Sequence, residues 1–487
     1  MANDKRSTGR FAKYLWLISA LVIMMLAVYL PLPESLLTLD NAQLSAPGRV
    51  SIGVMLFCLV LWISEPVPFH ITGFLGMILL ALFKAGSFPE VIRLGFGNDT
   101  LIFFIGVLII SACVTRSGLG QRLSLLVLRL TGNKTHHILL GMLIAGAVIS
   151  MWLTTLAAAA LLVPLALSIA REAGLKKGKS AFGKALFIAV VWGSLLGGPA
   201  TPAGSGANPL ALGFIREMLG IELSFTDWMV YGIPCMLALI LPAWGILLLF
   251  FKPEIKTLGK SSEDLKRDYL ALPPLSRDEK STLAIFLLTV LLWLTGKPLG
   301  RLLGMSIPTS LPAILGGCLF FLPGVSSVTW DEVQKDISWS GILLIGSGIS
   351  LGMLMYQSGA AQWLATLLLS NIASLSAFSR ILAVILIVSA LKLGLSSNTV
   401  TATVVIPIMI ALAGQQGLSP LGLVIPAAMS MNAAYILVTS SPTGVIPYST
   451  GWFSIRDMAL PGILMTLAAT GLTGLVLYLI GLFTGIY

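Results

Sequence analysis

Four short polar clusters interrupt long apolar runs, and chemistry is possible at each: Ser150–Thr155, Gly197–Pro209, Lys392–Thr403 and Thr439–Thr450. The second and fourth carry glycine and proline, which stop the helical hydrogen-bond ladder and leave N–H and C=O groups free. N–H groups at a half-helix N-terminus carry partial positive charge and suit a carboxylate or another oxyanion. Freed carbonyls and hydroxyls suit a hard cation such as Na⁺. One such cluster could serve only close helix packing by small residues; four in matched pairs point to a common centre. Lys392 stands out among them. It lies inside the apolar run Ile381–Leu395 with no acid nearby in sequence, and a lysine in such a segment costs about 2.5–3.5 kcal/mol on insertion scales. Either it replaces a bound sodium ion as a fixed cation, or it faces an anion directly. Snorkelling to the interface is opposed by its place about 7 Å of helix rise from the tip of its segment.

Other reactive side chains are sparse. Cys58, Cys113, Cys235 and Cys318 stand singly and read as small packing residues. There are three histidines, and His136 and His137 are adjacent in a basic loop, so a haem, zinc or His-based catalytic centre is not expected. His70, in Glu65-Pro-Val-Pro-Phe-His70, reads as a capping or packing residue. No GxxxxGK[ST] motif marks a transport ATPase.

The elements that must position these clusters are membrane helices. Charged residues make up 10% of the 487 and apolar residues 56%, against about 25% charged in an ordinary soluble protein. That composition excludes soluble enzymes, nucleic-acid binders and disordered scaffolds. The excess of 30 Lys+Arg over 20 Asp+Glu sits mostly in loops. The expected fold is an all-α polytopic membrane protein of about 11 transmembrane helices. Nine spans fall near 14–31, 49–64, 67–84, 101–115, 226–251, 282–296, 305–323, 339–356 and 458–485, and two interrupted ones near 185–220 and 417–450. The blocks 138–168 and 380–413, each with a polar middle, read as re-entrant hairpins whose tips lie at mid-membrane. The tail residues Lys5, Arg6, Arg10 and Lys13, the basic region 116–184 and the loop 252–280 all fall on one side, which sets the N-terminus inside and the C-terminus outside.

The chain also repeats itself. Asp99-Thr-Leu-Ile-Phe-Phe-Ile-Gly106 matches Trp339-Ser-Gly-Ile-Leu-Leu-Ile-Gly346, and Arg116-Ser-Gly118 matches Gln357-Ser-Gly359. The tip beginning Thr154-Thr155-Leu156 and ending at Pro164 matches the one from Ser397 to Pro407. The expected organisation is an N-terminal tail and first span (1–48), a first repeat (49–251), a cytoplasmic linker (252–281) and a second, inverted repeat (282–487). Inverted repeats with broken helices are a signature of secondary transporters. A channel would need a continuous pore, and a membrane enzyme would need acidic or His/Asp motifs that are missing.

Ser397-Asn398-Thr399, with Pro following, resembles the Ser-Asn-Thr signature of the divalent anion–sodium symporter family. Gly197-Gly198, Ala200-Thr201, Gly204-Ser205 and Asn208 are similar to that family's first broken-helix motif, and Ser440-Ser441-Pro442 to the second. Glu65-Pro66 is also family-like, and the similarity runs from about residue 50 to 485. The resemblance implies a carrier of di- or tricarboxylates such as succinate, malate, 2-oxoglutarate or citrate, with sulfate or another inorganic or sulfonate anion as the alternative and an anion channel as the reading from a different class. It implies a homodimer in a bacterial inner (plasma) membrane, with no cofactor beyond a possible Na⁺. The substrate residues it implies are Thr154, Thr155, Ser205, Ser397, Asn398, Thr399, Ser441 and Pro442. For a cation or its substitute they are Ser150, Gly204, Lys392, Ser396, Asn398 and Ser440. The first tip departs from the pattern, with Thr154-Thr155-Leu156 where the family has Ser-Asn-Thr. Anion transport is therefore implied more firmly than two sodium sites, and anion exchange stands beside Na⁺ symport as the coupling.

Overall fold

Apolar segments in a bilayer must close their backbone hydrogen bonds internally, and here they do so as helices. The computed structural model describes residues 2–39, 42–120, 122, 126, 131–258, 267 and 273–486. The first half holds α1 (Ala2–Tyr29), α2 (Glu34–Leu37), α3 (Ala46–Ser64), α4 (Phe69–Leu82), α5 (Phe88–Phe96), α6 (Asp99–Arg116), α7 (Thr135–Trp152), α8 (Thr155–Glu172), α9 (Ala181–Gly197), α10 (Ala207–Leu219) and α11 (Phe225–Phe250). The second half holds α12 (Arg277–Leu303), α13 (Ser310–Leu319), α14 (Trp330–Asp336), α15 (Trp339–Gln357), α16 (Ala360–Ala373), α17 (Ala377–Gly394), α18 (Asn398–Gln415), α19 (Leu421–Ser430), α20 (Pro442–Ser449) and α21 (Ile455–Thr484). A two-stranded antiparallel ladder, Thr38–Leu39 with Ala42–Gln43, is a small exception to the all-helical expectation.

Twelve helices among the described residues are long and apolar enough to cross a membrane, rather than eleven. The count differs because each hairpin arm is a full 18-residue helix, whereas the spans expected near 67–84 and 305–323 are helices of 14 and 10 residues. Both expected breaks are present. Single 3₁₀ turns, Gly198–Ala200 and Val438–Ser440, separate α9 from α10 and α19 from α20.

From α3 to α11 and again from α12 to α21, the helices follow in corresponding order, and their packing is reciprocal. α4 and α5 lie on α15, while their counterparts α13 and α14 lie on α6. The outgoing hairpin arm α8 packs on α20, and the other outgoing arm α18 packs on α10. This crosswise arrangement brings each tip to the break in the other half.

Two glycines allow the broken segments to nestle against continuous helices. α11 and α21 each start with a capping box, Ser224 with Asp227 and Ser454 with Asp457. Eight residues beyond each capping serine comes a glycine, Gly232 or Gly462. A Cβ on Gly232 would lie 2.4 Å from Pro199 O, and one on Gly462 would lie 2.2 Å from Tyr435 O. Each break therefore rests its freed carbonyls on a bare strip of helix.

Candidate functional site

Four helices begin at one centre, and each has a hydroxyl at its start. Thr154 Oγ1 accepts from Ala157 N (3.3 Å) ahead of α8, and Ser205 Oγ from Ala207 N (3.4 Å) ahead of α10. Ser397 Oγ accepts from Val400 N (3.4 Å) ahead of α18, and Ser441 Oγ from Thr443 N (3.4 Å) ahead of α20, where Pro442 takes the first helical position. These hydroxyls stand where N-caps are favoured, because they satisfy N–H groups that the helix leaves orphaned. The four starting ends also bring their partial positive charge to the same region.

Contacts across the halves join the tips to the breaks. Thr155 Oγ1 and Thr443 Oγ1 share a hydrogen bond of 2.8 Å, and Thr155 N donates to Gly204 O at 3.1 Å. Thr399 Oγ1 lies 3.0 Å from where a Cβ on Gly206 would stand. Thr155, Ser205, Ser397, Asn398, Ser440 and Ser441 are all buried, so the centre is closed to solvent. Asn208 Nδ2 donates to Gly198 O and Thr201 O, both at 2.7 Å, and so staples the first break into shape.

Lys392 is 1% exposed, which excludes snorkelling. Its ammonium donates to Ser440 O (2.6 Å), Asn398 Oδ1 (2.8 Å) and Leu395 O (3.3 Å). An ammonium has three N–H donors, and protein oxygens meet all three. Two of these acceptors are main-chain carbonyls freed by a hairpin tip and a helix break. No described carboxylate pairs with it. Ser396, expected in the cation set, makes no contact with the ammonium; the backbone of Leu395 does instead, and Ser440 contributes its carbonyl rather than its hydroxyl.

At the matching point of the first half, two residues before the end of α7, stands Ser150. Its hydroxyl donates to Ser194 O at 2.6 Å, on α9. Around Gly204, the carbonyls of Gly198, Ser150 and Gly197 lie 2.5, 2.9 and 3.1 Å from a Cβ position, so only glycine fits. His70 is the second residue of α4, whose N-cap is Pro68 with no side-chain cap bond, so it does not cap that helix.

Sequence reasoning passed over Asn432 and Thr443. Asn398 Nδ2 donates to Asn432 Oδ1 at 2.7 Å, which extends the Lys392 network into the second break. Asn432 sits in an otherwise apolar stretch, the same kind of signal that drew notice to Lys392.

Residues 11–483 match the family described as the sodium:sulfate symporter transmembrane region. Similar proteins include the sodium-dependent dicarboxylate transporter SdcS of Staphylococcus saprophyticus, 31% identical over 461 residues covering 91% of this chain and 88% of that protein. SdcS of Staphylococcus aureus strain USA300 is 31% identical over 463 residues, with the same shares covered. Among solved structures, the YdaH transporter of Alcanivorax borkumensis has a TM-score of 0.57 at 14% identity, covering 90% of this chain and 99% of that one. Neisseria gonorrhoeae MtrF has a TM-score of 0.53 at 14% identity, covering 96% and 94%. At such identity these two speak for the fold alone.

Proposed function

The chain belongs to the sodium:sulfate symporter family, whose members are membrane transporters and not enzymes, and from that premise we propose that it carries divalent organic anions by alternating access, exchanging one for another. The names of the SdcS relatives support a dicarboxylate over sulfate. Four helix N-termini with hydroxyl caps suit the two carboxylates of such a substrate. In this reading Thr155 and Thr399 and the backbone N–H groups beside Thr154, Ser205, Ser397, Ser441 and Pro442 hold the anion. The two halves are inverted repeats, the tips lie at mid-membrane, the basic loops face the cytoplasm, and the protein works as a dimer.

The observation that carries the coupling is the Lys392 cage. Carbonyl and amide oxygens around one buried cation make a donor set suited to Na⁺, and here a tethered ammonium fills it. Because its three N–H groups are spent on protein oxygens, Lys392 acts on the substrate through its charge rather than by contact. A divalent anion at roughly 6 Å would gain about 5 kcal/mol from it at an effective dielectric near 20. Without an anion, that charge and the four helix ends are left unneutralised, and the empty carrier resists reorientation. Exchange follows, and the coupling needs no sodium at this position. Ser150, Gly204 and the carbonyls around them form the weaker counterpart in the first half.

Proteoliposomes preloaded with unlabelled succinate, malate, 2-oxoglutarate, citrate or sulfate test this by uptake of labelled succinate. Uptake driven by internal dicarboxylate is expected. A protein that moves sulfate and no dicarboxylate refutes the substrate assignment.

A further inference from the structure

Lys392 can only donate hydrogen bonds, and that fixes the orientation of two amides in series. The atom of Asn398 facing the ammonium at 2.8 Å must be its oxygen. Asn398 Nδ2 then faces Asn432 at 2.7 Å, so the Asn432 atom that meets it must also be oxygen. The Nδ2 of Asn432 is left over. It is buried, the residue being 1% exposed, and among the described residues it has no hydrogen-bond partner. An unpaired buried donor is costly, and this one ends a chain polarised by a cation, which strengthens it as a donor.

Its position is central. A Cβ on Gly198, in the first break, would lie 2.9 Å from Asn432 Oδ1 and 2.8 Å from the methyl of Thr155, at the first tip. Asn432 itself follows α19 in the second break, and through Asn398 it is bonded to the second tip. Both tips and both breaks thus meet at this side chain. It also borders a closed chamber of about 20 Å³, together with Ser389, whose hydroxyl likewise has no partner among the described residues. That space suits a single water molecule and is too small for a carboxylate.

We propose that Asn432 is a substrate-binding residue: its Nδ2 donates to a carboxylate oxygen of the transported anion, relaying the charge of Lys392 through Asn398. The inference rests on the reading of the protein as an anion carrier. It divides the labour between the two asparagines. Asn398 is committed to the ammonium and to its neighbour, while Asn432 offers the free donor.

Asn432→Asp is the isosteric test. It keeps the oxygen that accepts from Asn398 and withdraws only the donor. Asn432→Ser, too short to place a donor at the same point, is carried in parallel and judged by the same criterion should the first variant fail to fold. Succinate and sulfate titrations of purified protein, followed by thermal shift, give binding independently of transport. The expected result is a ten- to hundredfold loss of apparent affinity, the range for one hydrogen bond to a charged group, with the melting temperature of the ligand-free protein preserved. Equal affinity in wild type and variant would overturn the role of Asn432, with the donor then satisfied only by water in the chamber. If wild type binds sulfate and not succinate, the dicarboxylate reading falls, while Asn432 is judged on the sulfate affinities. Binding of neither anion by wild type would sink both.

Discussion

Replacing Lys392 with alanine tests whether the ammonium stands in for a metal ion. The change removes three hydrogen bonds at once and leaves Ser440 O, Leu395 O and Asn398 Oδ1 facing one small space. An unpaired buried acceptor costs about 1–3 kcal/mol, and relief from burying the charge offsets part of the sum. The sign of the net change is therefore less informative than its dependence on sodium. If the vacated cage binds Na⁺, the folded protein gains about 2.7 kcal/mol when sodium is a hundredfold above its dissociation constant. Wild type, with the position filled, should gain almost nothing there. Thermal unfolding in detergent across a sodium series, with choline holding ionic strength constant, reads the difference. Lys392→Met fills the space with an apolar chain and should show no sodium response. Equal sodium stabilisation of wild type and Lys392→Ala, or none in the variant, would refute the substitution of lysine for sodium.

The Thr155–Thr443 hydrogen bond joins the halves at the proposed centre. Thr155→Val and Thr443→Val should each lower uptake at least tenfold, and the double variant should be no worse than either single one, as expected for partners in one interaction. Gly232→Ala and Gly462→Ala would push a methyl against Pro199 O and Tyr435 O, costing about 1–3 kcal/mol by overpacking; Gly245→Ala, with nothing near its Cβ position, should be neutral or slightly stabilising in the same melts. Outside the membrane, burial pushes the Glu254 carboxyl up, but hydrogen bonds from Ser180 Oγ and Phe182 N outweigh it and hold it below its ordinary value of 4.5. Its contribution is therefore present above that value and lost as pH falls through the lower folded value; melting curves of Glu254→Gln should start lower at neutral pH and converge with wild type in acid.

The polar clusters were legible in the sequence because a bilayer tolerates polar groups only where they are used. Thr155, Ser205, Ser397, Asn398 and Ser441 do lie together, and both breaks fall where glycine and proline interrupt the apolar runs. Hidden from the sequence was how the groups pair. Leu395 and Ser440 serve Lys392 through main-chain carbonyls, which no side-chain pattern reveals, and Ser396, beside them in sequence, does not. Gly232 and Gly462 looked like ordinary membrane glycines until the backbone of each break was seen against them. The span count missed by one because a hairpin arm and a crossing helix have the same length and hydropathy. Asn432 escaped notice because attention followed the hairpin signature rather than single polar residues in the apolar arm of the second break.

Counterflow of labelled succinate under an imposed potassium-diffusion potential, with and without Na⁺, tests the central claim most directly. One-for-one exchange of equally charged anions moves no net charge, whereas each unbalanced charge moved is worth about 2.3 kcal/mol per 100 mV. Uptake should require an internal dicarboxylate, proceed without sodium and ignore the potential. Uptake that needs sodium, responds to the potential and runs into vesicles empty of dicarboxylate would contradict the account.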